Sequence, residues 1–136
     1  MSSGETSSPL RRLDSLETLR VMIDRLREGI YVTTGDGSII DANPAFFEML
    51  GVSSLEELKL YSVDDLLVFP GQRDREVEIL AREGSVREYE LQIRRPDGEE
   101  RTVLDTAYAV TDPVTGEVLY HVILVDITDL KKLQAR

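Results

Sequence analysis

Cysteine is absent from this 136-residue chain, which removes disulfide frameworks, thiolate zinc sites, thiol catalysis and any cofactor attached through a thiol. A chain without thiols suits a reducing compartment, so a cytoplasmic location is the expectation. Histidine occurs once, at His121. One imidazole without thiolates cannot close a transition-metal site. Long apolar runs are also missing: none approaches the roughly 20 residues of a membrane helix, and the opening MSSGETSSPL has no signal-peptide core. Positive charge is in the minority, with 16 Lys and Arg against 26 Asp and Glu and a formal net charge of -10. That balance repels phosphate backbones and anionic lipid, and so argues against nucleic-acid binding and direct membrane contact. The length fits one domain that can bury its own core.

Against these absences, residues 29–51, GIYVTTGDGSIIDANPAFFEMLG, are locally well specified. Ile30-Tyr31-Val32 reads as a strand, Gly35-Asp36-Gly37 as a turn, and Ile39-Ile40 as the returning strand. Asn43 is placed to cap a helix, Pro44 suits its first position, and Gly51 suits a left-handed close. Before this stretch, residues 1–12 are mostly small, polar or basic and read as a disordered leader. Residues 13–28 read as an amphipathic helix, with Leu16, Leu19, Ile23, Leu26 and Ile30 recurring at three- and four-residue steps. That seam is coiled-coil-like and would pair with a second copy, while Val21 and Met22 widen it enough to pack on a sheet.

After Gly51, Ser54 with Glu57 and Ser62 with Asp65 have capping-box spacing, so two short helices are expected. Residues 72–83 predict a further helix that packs through Val77, Leu80 and Ala81 and stops at Gly84. Beyond Val86 the period changes to two. Tyr89, Leu91 and Ile93 alternate with charged and polar residues, and Pro96-Asp97-Gly98 turns the chain back. Residues 101–111 form the next strand, with Val103, Asp105, Ala107 and Ala109 on one face. Residues 118–127 are nearly continuously apolar, as for a central strand buried on both sides. Their outer face then needs a cover, for which residues 16–26 are the available helix. The fold class is α+β: a five-stranded antiparallel sheet, short helices inserted after the first hairpin over one face, and an N-terminal amphipathic helix on the outer face.

In order and spacing, Asp36-Gly37-Ser38-Ile39-Ile40, Asn43-Pro44-Ala45-Phe46, residues 51–58, Pro96-Asp97-Gly98-Glu99 and the terminal Asp126-Ile127-Thr128 resemble a PAS domain. The resemblance implies a PAS core over residues 29–128, with a signalling or linker helix beginning at 129–136. It implies a sensory or interaction module of a bacterial signalling protein rather than an enzyme, with a cavity between the sheet and the inserted helices. It further implies terminal helices that dimerise or pass a signal to an attached output domain, such as a histidine kinase, a cyclic-dinucleotide enzyme or a transcriptional regulator.

What fills such a cavity differs among relatives, and the residues here disfavour the familiar cofactors. The missing cysteine excludes adduct-forming flavin and thiol-linked chromophores. Leu124, with Val122 and Tyr120 beside it, stands where flavin binders of the family commonly carry an amide. Heme lacks a ligand on the 72–83 helix, and His121 falls on the face opposite Tyr120, Val122 and Leu124. A small organic ligand, or none, remains. The expected pocket is Phe46, Phe47, Leu50, Leu66, Val77, Leu80, Leu91, Ile93, Val122 and Leu124, and the same residues would serve equally as plain core.

Asp105 is the polar exception on the face that the resemblance turns toward the cavity, where a carboxylate is costly unless paired. It can read a cationic or hydrogen-bonding ligand, pair with an arginine, or reach solvent if the strand parity is shifted by one. Asp126 and Thr128 are expected to couple the last strand to the following helix, a position that equally suits a helix cap. Other motifs fail on spacing: Gly35-Asp36-Gly37 lacks a dinucleotide fingerprint, Asp41-Ala42-Asn43 lacks the rest of a calcium loop, and the adjacent acidic pairs diverge. The alternative function is a ligand-free homodimerisation scaffold.

Overall fold

The computed structural model describes residues 8–134. Of the expected leader, residues 1–7 lie outside the described residues, and Pro9–Arg11 form a 3₁₀ turn. The first helix, α1 (Leu16–Arg25), starts where the Ser15 hydroxyl accepts a hydrogen bond from Thr18 N. It is shorter than the apolar spacing suggested. Leu26 already has extended backbone angles, and Ile30, the last member of the seam, belongs to strand β1 (Gly29–Thr34).

β2 (Ile39–Ala42) returns beside β1, and Asn43 hands the chain to α2 (Pro44–Leu50). The Asn43 carboxamide accepts from Phe46 N, Pro44 opens the helix, and Gly51 closes it at φ 72°. Each cap is the one the sequence specified. Gly29 fits closely against this helix, since a Cβ there would stand 3.0 Å from the Phe46 ring. Gly51→Ala would force an L side chain into the left-handed region beside the Arg95 guanidinium. Its expected cost is about 1 kcal/mol, measurable by denaturant unfolding.

The inserted region contains α3 (Leu55–Leu58), a single turn, then a 3₁₀ turn at Val63–Leu66 in place of a second α-helix. Ser54 caps α3 as expected, although the Glu57 carboxylate takes Ser53 N rather than Ser54 N. The next helix, α4 (Pro70–Glu83), begins two residues earlier than the periodicity suggested, with Pro70 at its first position. Ala81 is exposed, and the residues α4 buries are Arg73, Glu76 and Leu80. The inward face is thus rotated toward two charged side chains.

Three strands complete the sheet: β3 (Ser85–Arg94), β4 (Glu100–Thr111) and β5 (Val118–Asp126), followed by α5 (Thr128–Gln134). The spatial order is β2-β1-β5-β4-β3, all neighbours antiparallel, so the first and last strands meet at the centre. β3 carries a bulge between Val86 and Tyr89, where Glu88 adopts φ 51°.

The core lies on one face only. Tyr31, Leu91, Ile93, Val103, Ala107, Val122 and Leu124 point from the sheet toward Phe46, Leu50, Leu58, Leu66 and Leu80 of the inserted region. The expectation that β5 is buried on both faces is overturned, since Ile123 and Val125 stay 37% and 42% exposed. Nor does α1 lie on the outer face. It packs against α2 and the 3₁₀ turn at Pro9–Arg11, because Asn43 Nδ2 donates to Ile23 O and Glu28 O and ties the helix end to the β2–α2 corner. Among the described residues no helix is long and apolar enough to cross a membrane.

Candidate functional site

Between the sheet and the inserted helices are two small hollows, each of about 20 Å³. That is room for roughly one water-sized group apiece. The first is apolar and is lined by Phe46, Leu50, Leu66, Leu91, Ile93 and Leu124 from the expected pocket, together with Tyr31, Val63 and Leu67. The Tyr31 and Phe46 rings stack at 4.3 Å across its wall. The second hollow takes Val77, Leu80 and Val122 from the expected set and adds Tyr31, Thr33, Val63, Arg73, Glu76, Ala107 and Tyr120. Phe47 packs partly buried against the core and lines neither hollow. The expected residues therefore divide between an apolar and a polar chamber that share Tyr31 and Val63.

Glu76 and Arg73 are the charged residues that line the polar hollow, and a second acid, Asp105, is buried beside it. Asp105 on β4 is 2% exposed and Glu76 on α4 is 7% exposed, so the solvent-reaching alternative for Asp105 does not hold. Glu76 Oε2 and Asp105 Oδ1 receive no hydrogen bond from an N–H or O–H of the described residues. The two carboxyl groups influence each other's titration inside the domain. Burial, with the Glu76 charge second, pushes the Asp105 carboxyl well above the usual carboxylate range. Burial also raises Glu76, opposed by the hydrogen bond from Asp105 and by the Arg73 guanidinium. Two acids in one dry site cannot both ionise freely, so the pair keeps a proton well past the ordinary carboxylate range. The same two groups, after burial itself, raise the Tyr31 phenol well above its ordinary value.

Arg73 completes the cluster at its edge. Its Nε lies 3.5 Å from the Asp64 carboxylate, and its Nη2 would be 3.1 Å from a Cβ on Gly37. The guanidinium is turned toward the hairpin and the Val63–Leu66 turn, leaving the pair its long-range field but no hydrogen bond among the described residues. The sequence signal for this cluster was spacing: Arg73 and Glu76 stand seven and four residues before Leu80, on its helical face. Their charge pointed the reading toward solvent.

A second polar arrangement joins β5 to α5. The Thr128 hydroxyl accepts from Thr102 N at 2.9 Å and lies 2.6 Å from Asp126 Oδ1, which also accepts from Thr128 N at 2.9 Å. Ile127 N donates to Thr102 O, Arg101 stands 3.5 Å from Asp126, and Lys131 of α5 pairs with Glu90 of β3 at 3.0 Å. Asp126 and Thr128 are thus bonded to each other and, through Thr102, to β4. By contrast, the α1 seam is open: Leu16 is 81% exposed, and Leu19 and Leu26 are more than a third exposed. Ile23 is half-buried. His121 is exposed on the outer sheet face between Val32 and Tyr108, away from both hollows. Among the described residues no cluster of three His, Cys, Asp or Glu is placed to hold a metal ion.

A family model described as PAS domain matches residues 27–129. The chain belongs to the PAS domain family. The fold agrees with solved PAS domains. One from Colwellia psychrerythraea superposes with a TM-score of 0.72 at 23% identity, covering 85% of this chain and 99% of that one. The PAS domain of a two-component sensor histidine kinase gives 0.69 at 15% identity, covering 81% and 94%. That of nitrogen regulation protein NR(II) from Vibrio parahaemolyticus gives 0.64 at 15%, covering 83% and 99%. No curated protein matches the sequence. This PAS domain is therefore related in fold to sensory domains of histidine kinases, and such domains are in general not enzymes.

Proposed function

We propose that this PAS domain is the sensory module of a longer, cytoplasmic bacterial signalling protein, and that it passes an event in its interior through the terminal helices to a covalently attached output domain. A histidine kinase, a cyclic-dinucleotide enzyme or a transcriptional regulator would each suit that place. The observation that carries this reading is the buried acid pair, Glu76 of α4 and Asp105 of β4, which sets a polar junction between these two elements inside the domain. A polar link of that kind breaks or re-forms with its surroundings in a way that an apolar core contact does not. Asp105 and the junction to α5 lie on the same strand, since Thr102 of β4 bonds Thr128. A shift of β4 relative to α4 would therefore reach the start of the terminal helix through two hydrogen bonds.

The coupling role of Asp126 and Thr128 has a direct test. Replacing both by alanine in the full-length protein is expected to leave the domain folded and to abolish regulation of output. Regulated output at the parent level would reject the assignment and leave the two residues as a helix cap.

A second reading, a ligand-free homodimerisation scaffold, is favoured by the open outer face. Tyr108, Ile123 and Val125 are more than a third exposed and adjoin Ile30, Val32 and Leu104, an apolar surface of the kind that pairs with a second copy. The exposed α1 seam of Leu16, Leu19, Ile23 and Leu26 would extend it. Ile123→Glu is expected to convert a dimer to monomer in sedimentation, and an unchanged sedimentation coefficient would count against this face. Native mass spectrometry separates the readings: a co-purifying small molecule supports sensing, and an empty dimer supports the scaffold.

A further inference from the structure

The two interior hollows have the same size and opposite walls. Each offers about 20 Å³, the room one water molecule needs. In the wall of the first, Tyr31 is the one residue whose side chain carries a polar atom. The second brings Glu76 and Arg73 of α4 against Tyr31 and Thr33 of β1 and Tyr120 of β5. Tyr31, Thr33, Arg73 and Glu76 are each more than nine-tenths buried. Glu76 Oε2 is buried and accepts no hydrogen bond from the described residues. Native interiors rarely leave such an acceptor unmatched, because an unmade bond at a charged group costs more than immobilising one water.

We propose that the polar hollow is the binding site of one structural water molecule, which donates to Glu76 Oε2 and joins α4 to the sheet, and that the apolar hollow beside it stays dry. The wall decides the class of occupant. It carries a cation in Arg73 and an acid in Glu76, so an ion of either sign would meet a like charge in a dry interior. Water is neutral and brings two donors and two lone pairs. The Thr33 hydroxyl, the Arg73 N–H groups and the two phenols are the further partners the wall offers, enough for the two to four bonds a buried water takes. Room for one such group leaves no place for an organic ligand at this position.

The inference goes beyond both readings above, since the water belongs to the fold whether the domain senses or pairs. Its place gives it a structural consequence. Near the start of α4 the Gln72 side chain already bonds Gln92 of β3, an edge strand. Glu76 stands one helical turn further on. Water held there adds a polar link from α4 to β1 and β5, strands inside the sheet. The apolar hollow begins on the other side of Tyr31 and Val63, which line both, and so serves as an internal control of equal size.

The test is oxygen-17 relaxation dispersion of the whole chain, which counts long-lived water molecules and is blind to exchanging hydroxyl protons, together with water–methyl NOE spectra. Glu76→Met, close in length but without the carboxylate acceptor, is expected to lose about one long-lived water per chain relative to the parent. In the parent, water cross-peaks are expected at the methyls of Val77 and Val122, which line the polar hollow, and none at those of Leu91 and Leu124, which line the apolar one. A Glu76→Met protein that holds as many long-lived waters as the parent overturns the proposal. Cross-peaks of equal strength at both pairs of residues, or at neither pair, overturn it as well. Those spectra need the parent alone, so they decide the matter even if the methionine variant fails to fold.

Discussion

Asp105→Asn is expected to stabilise the domain at neutral pH, by an amount that grows as pH rises. A carboxyl in the unfolded chain titrates near about pH 4, whereas burial and the Glu76 charge raise Asp105 far above its ordinary value in the fold. Between those two values the folded state holds a proton that the unfolded state has lost. Stability then falls with increasing pH, by about 1.4 kcal/mol per unit for one proton. Below about pH 4 both states are protonated and the penalty vanishes.

Asparagine keeps the shape while removing the titration. Denaturant unfolding of parent and variant from about pH 5 to about pH 8 should show two curves that diverge upward. A difference that stays constant with pH, or a variant weaker than the parent throughout, would mean that Asp105 is ionised in the fold. The direction is unusual for an acidic residue. The exposed Asp36 and Asp97, whose carboxylates are held low mainly by hydrogen bonds in their turns, act oppositely and lose their contribution in acid.

The second large effect is expected at Asn43. One buried carboxamide accepts from Ile30 N at 2.9 Å and Phe46 N at 3.1 Å, and donates to Ile23 O at 3.0 Å and Glu28 O at 3.1 Å. Four bonds meet in a side chain that is 3% exposed. Asn43→Ala removes a helix cap, typically about 1 kcal/mol, and strands partly buried backbone groups at about 1 to 3 kcal/mol each. A loss on the order of 3 kcal/mol, or roughly 10 °C in melting temperature, is expected.

Asn43→Asp separates the roles, because it keeps both acceptor bonds and loses both donors. Hydrogen exchange should then accelerate in α1 while α2 stays protected. Equal acceleration in both helices would show that the corner acts as one unit and that α1 is not tethered by the amide.

How much of this was legible depends on whether the physical cause was local. The stretch from Gly29 to Gly51 was read correctly because a turn, a cap residue, an N1 proline and a left-handed glycine each act within a few residues. The hairpin pairings followed from tight turns, and the order of short signals identified the family, whereas the pairing of β1 with β5 has no local signal. The outer face was misjudged for the opposite reason. An apolar run such as residues 118–127 registers that a surface is hydrophobic, not whether this chain or another covers it. Residues 16–26 offered a matching stripe, yet the amide of Asn43, distant in sequence, holds that helix at another corner.

The polar chamber was half legible. Asp105 stood out because a carboxylate interrupts an inward-facing set, but the protein partner expected for it was an arginine, and Arg73 pairs with Asp64 instead. Its partner stayed hidden because Glu76 and Arg73 sit in a strongly charged helix, where charge ordinarily marks the wet side. Helical spacing placed both on the face of Leu80. Only the packing of α4 on β3 and β4 shows that this face points inward.

Asp105 of β4 and Glu76 of α4 form a buried acid pair at the interior of this PAS domain, and burial drives the Asp105 carboxyl well above the ordinary carboxylate range. The most direct measurement is a pH titration of the side-chain carboxyl ¹³C resonances of aspartate, with Asp105 assigned through its asparagine variant. The Asp105 resonance is expected to keep its protonated position through neutral pH while the exposed aspartates ionise near about pH 4 or below. A resonance for Asp105 that moves together with theirs would contradict it.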